Sequence, residues 1–313
     1  MAEIRYLNTD GCSAETVVAA RSKRRQEIEL LRVLSAFGIV WYHTATIGRD
    51  VAYSGLIAFL IISMYFAAQS GSPPKSVARR ARVLLVPWLV WCVFYGLLNL
   101  TLHKPFLSLE HGWIAGLLVG TSIHLWYLPF IFVCIVAFDQ IKDKVNQHTL
   151  SYACILLAAL TLGFCDFWRK PSLAFDYPYA QYAHAMDGVL LGVFFANCHA
   201  LSRQACAIAI GVVLVLIVFF AMPSPGMGVP YLFGLTAAAV TLLLPWDRYI
   251  HFDIRWLSEC TLGIYLSHIF WMKLFKKFLP MPDLLLPFAV FAISAATVWL
   301  FKKSAPRVAS YVV

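Results

Sequence analysis

Residues 28–43 read Ile-Glu-Leu-Leu-Arg-Val-Leu-Ser-Ala-Phe-Gly-Ile-Val-Trp-Tyr-His. The run is apolar over most of its length, yet it carries Arg32 near its start and His43 at its end. Eleven helical steps of about 100° return to nearly the same face, and at about 1.5 Å per residue they cover roughly 16 Å. One helix therefore shows an arginine and a histidine on one stripe. Either group against lipid is costly, so the stripe belongs against an internal cavity of a membrane bundle. An arginine offers a permanent, forked positive charge suited to phosphate. A histidine exchanges a proton near neutral pH. A blander reading has the arginine snorkelling to lipid headgroups and the histidine bonded to a neighbouring helix.

The rest of the chain agrees with a membrane setting. Of 313 residues, 61 % are hydrophobic and 13 % charged, and the mean hydropathy is +0.74. Soluble domains are about half apolar and about a quarter charged. These figures exclude a soluble enzyme, a disordered chain and a disulfide-built scaffold. A bilayer-crossing helix takes about 20 mostly apolar residues. Ten segments qualify: 29–47, 53–70, 83–102, 124–141, 149–165, 181–197, 205–222, 229–245, 258–275 and 284–301. The expected fold is all-α, a polytopic integral membrane bundle of about ten transmembrane helices. Residues 112–120 form a shorter apolar piece, re-entrant or interfacial. Pro87, Pro129 and Pro287 fall within or near spans, where neighbours can satisfy freed carbonyls. The expected divisions are a cytoplasmic tail over 1–27, a membrane domain over 28–302 and a short cytoplasmic tail over 303–313.

The loops alternate in basic content. Sixteen lysines and arginines fall on one side, including Arg21 to Arg25, Lys75 to Arg82, Arg255 and Lys302 to Arg307; seven fall on the other. The positive-inside rule makes the richer side cytoplasmic, with both termini there. Lys276 and Lys277, on the poorer side, fit least well. The net charge of +9 is thus read as topology, with no nucleic-acid partner. The eight cysteines form no C-x-x-C pair, and most lie inside apolar runs, so they read as packing residues and no metal site is expected. Residues 1–27 lack the apolar core of a signal peptide.

Several short elements follow one another in order. Glu29-Leu-Leu-Arg32 opens the first span, and Arg32 and His43 are separated by ten residues. Phe59-Leu-Ile-Ile-Ser63 lies in the second. Arg79-Arg-Ala-Arg82, then Leu85-Val-Pro87, starts the third. His124-Leu-Trp126-Tyr-Leu128 opens the fourth, and Leu262-Gly263-Ile-Tyr265-Leu-Ser-His268 lies in the ninth. In this order they resemble the membrane-bound acyltransferase-3 family over about residues 28–301. Met64 stands where the family often has glycine, and Phe130-Ile131 stands where one subgroup carries a glutamate.

The resemblance implies an O-acyltransferase, most commonly an O-acetyltransferase, in the bacterial inner membrane. It would move an acyl group from cytoplasmic acetyl-CoA, or another acyl-CoA, to a hydroxyl of a surface glycan or its lipid-linked oligosaccharide precursor. On this reading His43 and Arg32 are catalytic. Arg79 and Arg82, with Arg32, hold coenzyme A phosphates. Tyr265, His268, Trp126 and Ser63 position the acceptor. From the residues alone, Arg79 to Arg82 read equally as a topology signal or as contacts to anionic membrane lipids. Trp126 reads equally as an aromatic-belt residue. Asp187 and Glu259 stand as candidate partners for Arg32 or a histidine. His103, His111, His148, His199 and His251 read as surface residues. A proton-coupled transporter or exporter of a small solute also suits intramembrane His and Arg, but such carriers are often built from internal repeats, and no half-to-half similarity is apparent.

Overall fold

The structure is a computed structural model. It describes residues 25–69, 76–110, 112–175, 177–246, 249–250 and 252–313. The expected tail over 1–27 therefore lies almost wholly outside the described residues, as do Arg21, Lys23, Arg24, Lys75, Arg248, His111, His251 and Cys12. No strand occurs among the described residues.

Every one of the ten apolar segments forms a helix. The first is α1 (Gln26–Thr44). A turn at Arg49–Ala52 leads into α2 (Ser54–Ala68). Then come α3 (Val77–Thr101), the short α4 (Trp113–Val119) and α5 (Tyr127–Ile141), the last entered through a tight turn at Ile123–Trp126. Next are α6 (Gln147–Gly163), α7 (Cys165–Ser172), α8 (Tyr179–Asn197), α9 (Arg203–Leu216, continued to Ala221) and α10 (Gly228–Leu243). The chain closes with α11 (Thr261–Phe278), α12 (Leu286–Ser304) and α13 (Pro306–Val312). Among the described residues, five stretches are long and apolar enough to cross a membrane: Arg49–Ala68, Val77–Thr101, Ile123–Ile141, Arg203–Ala221 and Leu286–Ser304. The pair α6–α7, bent by 74°, makes a sixth if it counts as one span. The apolar piece expected at 112–120 is α4, seven residues long. It is bounded by Gly112 and Gly120 at φ 87° and 77°, a left-handed backbone that favours glycine.

Helix α2 is the centre of the bundle. It is apolar on every face, and residues 55 to 62 are buried without interruption, as expected of a core helix. It packs against α1, α8 and α10. Small residues allow these approaches, as at other membrane helix crossings. A Cβ on Gly55 would lie 2.5 Å from the Ser35 carbonyl oxygen of α1, and one on Gly192 of α8 would lie 2.6 Å from that of Ile61.

The helix ends meet in two groups. At one end Arg25 donates to the Thr241 carbonyl at 2.9 Å, the Ile254 N–H to Gln26 Oε1 at 3.1 Å, and Lys302 to the Glu259 carbonyl at 2.6 Å. Arg80 and Lys142 share Asp139 at 3.0 and 3.1 Å. At the other end Thr46 donates to the Asp283 carbonyl at 3.0 Å, and Lys276 to that of Thr44 at 3.4 Å.

Candidate active site

Three imidazoles converge where α1, α11 and the Ile123–Trp126 turn meet. The His43 and His268 ring centroids lie 5.1 Å apart, and those of His268 and His124 lie 5.2 Å apart. Tyr95 of α3 packs edge-on against His124 at 5.2 Å.

The hydrogen bonds separate the three by role. A carbonyl only accepts, so His124 Nε2 carries a proton toward the Leu266 carbonyl at 3.3 Å. In the neutral ring, Nδ1 then accepts from the Ser122 hydroxyl at 3.0 Å. Both of its nitrogens are engaged. The Tyr265 hydroxyl donates to the backbone carbonyl of His124, and the Tyr95 hydroxyl donates to the Leu266 carbonyl at 2.8 Å. His268 Nδ1 donates to the Tyr265 carbonyl at 2.6 Å, which leaves its buried Nε2 with no partner. His43 makes ring contacts with His268 and Tyr42 and no hydrogen bond to any described residue. His43 is thus the one imidazole of the three with both nitrogens open to a bound molecule. The three rings do not form a metal site, and no such group of three ligands occurs among the described residues.

His43 borders a cavity of about 310 Å³ whose wall also includes Tyr42, Arg49, Tyr53, Trp126, Gln181 and Tyr265. Four tyrosines and a tryptophan contribute to the wall. The Gln181 amide oxygen is buried there without a partner, and Arg49 lies over the Tyr42 ring at 4.9 Å. Trp126 is only 6 % exposed and packs against Tyr127, Phe130 and Tyr182. Trp126 is thus buried in the cavity wall rather than exposed on the outer face of the bundle.

Arg32 sits on the same unbroken helix as His43. Its Nη1 lies 3.2 Å from Glu29 Oε2, one turn earlier, and Glu29 in turn accepts from the Ser258 hydroxyl. The partner of Arg32 is therefore Glu29 rather than Asp187. Asp187 instead accepts from Thr161 across α6 and α8 and keeps one buried oxygen unpaired. Ser63 does not border the cavity. It is bonded to the Tyr127 hydroxyl at 2.8 Å, and Tyr127 touches the Tyr265 ring at 5.6 Å. Ser63 thus reaches the site through a second side chain.

Arg79 and Arg82 are exposed at the first turns of α3, away from the residues bordering the cavity. Arg82 donates to the Tyr311 hydroxyl of α13 and stacks on that ring at 4.7 Å. Trp91 donates to the Val312 carbonyl at 3.0 Å, so α13 lies along α3 beside Arg82. His103, His148 and His199 are exposed.

Two buried histidines join the site without a role assigned from sequence. His124 is one. The other is His184 of α8, fully buried, stacked on Tyr53 at 5.2 Å and donating from Nε2 to the Gly226 carbonyl at 2.8 Å. Arg169 lies close by, donating to the carbonyls of Pro225 and Ala180 at 3.0 Å each. A signal for His184 exists: it stands three residues before Asp187 and shares its helix face.

A family model described as an acyltransferase domain, that of the acyltransferase-3 family, matches residues 25–302. No curated protein and no solved structure matches the chain.

Proposed function

The chain belongs to the acyltransferase-3 family, and from that premise we propose that it transfers an acyl group, most commonly acetyl, from acyl-CoA to a hydroxyl of a surface glycan or its lipid-linked precursor. The observation that carries this reading is the pairing on α1. A histidine with no hydrogen bond borders an aromatic cavity, and an arginine held by Glu29 stands eleven residues earlier on the same helix. The proposed setting is the bacterial inner membrane, crossed by about ten helices with both termini in the cytoplasm. The end of the bundle that carries Arg79 to Arg82 then faces the cytoplasm, and the cavity of His43 faces the outer leaflet.

In the proposed step His43 accepts the proton of the acceptor hydroxyl. The oxygen attacks the thioester carbonyl carbon, the C–S bond breaks, and the thiolate leaves and takes up the proton as coenzyme A. Arg32, roughly 16 Å along α1 from His43, holds the negatively charged coenzyme A part of the donor. His268, whose ring centroid lies 5.1 Å from that of His43, packs against the base and helps to hold its ring in place. Tyr265, Trp126 and Gln181 hold the acceptor, and Arg79 and Arg82 bind coenzyme A phosphates by charge-assisted hydrogen bonds. No metal enters this scheme.

Mass spectrometry of surface glycans from cells with and without the protein tests the reading. The expected result is an acyl mass increment that depends on the protein; identical spectra overturn it. The donor end has its own test. Arg82→Ala is expected to raise the KM for acetyl-CoA about tenfold with a smaller change in kcat, the loss of one charge-assisted contact. An unchanged KM assigns Arg82 to topology and to its contact with Tyr311.

A further inference from the structure

Tyr95 of α3 is 1 % exposed and does not border the cavity of His43. Its hydroxyl donates to the Leu266 carbonyl of α11 at 2.8 Å and accepts from the Phe270 N–H at 3.2 Å. Those two backbone groups stand four residues apart and are each other's partners in an undisturbed α-helix. The phenol oxygen therefore touches both ends of one rung of the α11 ladder. A side chain that enters the ladder bends a helix locally. Tyr231 of α10 makes the same kind of contact on α8: it donates to the His184 carbonyl and accepts from the Gly188 N–H at 3.2 Å.

The two rungs differ in what surrounds them. A carbonyl oxygen has two lone pairs. At Leu266, Tyr95 takes one and His124 Nε2, at 3.3 Å, takes the other. The Phe270 N–H has the Tyr95 oxygen as its acceptor. One phenol thus ties α3, the Ile123–Trp126 turn and α11 together, and its own ring packs against His124 at 5.2 Å. The rung from Leu266 to Phe270 encloses His268. That ring stands between His124 and His43, 5.2 Å from one and 5.1 Å from the other.

We propose that Tyr95 is a positioning residue for acyl transfer: its hydroxyl sets the turn of α11 that carries His268, and so fixes the ring against which His43 rests. The proposal rests on the reading of His43 as the base and adds a residue that acts on it through His268. Phenylalanine at this position keeps the aromatic packing and removes only the oxygen. No buried group is then stranded, because the Phe270 N–H can return to the Leu266 carbonyl while His124 keeps the second lone pair. The rung closes, and His268 moves with it. Stability and rate should therefore separate, since a misplacement of about 1 Å can cost about 10²-fold in rate.

The test uses the purified full-length protein, acetyl-CoA carrying a labelled acetyl group, and the surface-glycan fraction from cells lacking the protein. Tyr95→Phe is expected to lower kcat about tenfold, with the KM for acetyl-CoA and for the glycan fraction within about twofold of wild type. Its thermal unfolding midpoint in detergent should not fall. Tyr231→Phe is the matched control. It removes a fully buried hydroxyl from an equivalent rung, but on α8, which makes no ring contact with His43. Its kcat is expected to stay within about twofold of wild type. A wild-type kcat for Tyr95→Phe overturns the proposal. So does an equal loss in Tyr231→Phe, or a loss that comes with raised KM values and a lowered midpoint, because either makes the hydroxyl a stability contact alone. Failure of the underlying reading shows elsewhere: wild-type transfer by His43→Ala removes the base, and no label with the wild-type protein overturns acyl transfer itself.

Discussion

His43→Ala is expected to lower acyl transfer by about 10²–10⁴-fold, the range that a positioned general base contributes, while the protein still inserts and purifies as one species. The structure explains why activity and stability should separate here. His43 is half-buried and makes no hydrogen bond, so its removal strands no donor or acceptor. What it loses is ring contact with Tyr42 and His268 at 5.3 and 5.1 Å. His124 provides the contrast. Its buried ring holds the Leu266 carbonyl and the Ser122 hydroxyl, so alanine there strips the hydroxyl of its partner, at a cost of about 1–3 kcal/mol, although Tyr95 still donates to the carbonyl. Transfer of label from acetyl-CoA to the glycan fraction is the measurement, with elution from a sizing column in detergent as the control. Wild-type transfer by an intact His43→Ala protein would remove His43 from the chemistry.

Gly55→Leu is expected to have the opposite profile, a loss of folded protein rather than of chemistry alone. A Cβ at this position would stand 2.5 Å from the Ser35 carbonyl oxygen, 3.2 Å from the Gly38 Cα and 3.3 Å from the Ile39 nitrogen. All three obstacles are backbone, so no side-chain rotation relieves them. The two helices must part, and with them the face of α1 that carries Arg32 and His43. Overpacking of a tight core costs typically about 1–3 kcal/mol, occasionally more, and this crossing should lie at the upper end. Gly211 of α9 is the matched control, because a Cβ there meets nothing within 4 Å. Thermal unfolding in detergent should show a clear fall in midpoint for Gly55→Leu and none for Gly211→Ala. An unchanged midpoint for Gly55→Leu would mean that α1 and α2 do not meet at this crossing.

The helices were legible in the sequence because an apolar run of membrane length leaves the backbone few alternatives. Arg32 and His43 do lie on one unbroken helix, as the sequence suggests, but of the two only His43 borders the cavity. What periodicity does not say is which helix a face meets. Helix α2 is apolar all round and offers no asymmetry to read. His124 belongs to a tight turn rather than a long helix, so no stripe pointed it inward, and Trp126 beside it could equally have faced lipid. Glu29 was visible one turn before Arg32, but a distant carboxylate such as Asp187 competed with it on paper; proximity along the helix decided the matter. Ser63 lay in a recognisable element, yet only the position of Tyr127 shows that it sits behind a second side chain, outside the cavity wall.

Because α1 runs without a break from Gln26 to Thr44, it also sets an angular phase between charge and base. The Gly38–Gly55 crossing anchors the upper part of this helix. One alanine inserted directly after Arg32 would leave His43 in its groove and swing Arg32 and Glu29 around the axis by about 100°. No side chain would be lost, yet Arg32 and His43 would look in different directions. The count of ten residues between them is thus a rotational setting, and an insertion within the run is expected to cost more activity than a substitution of a residue that fills it.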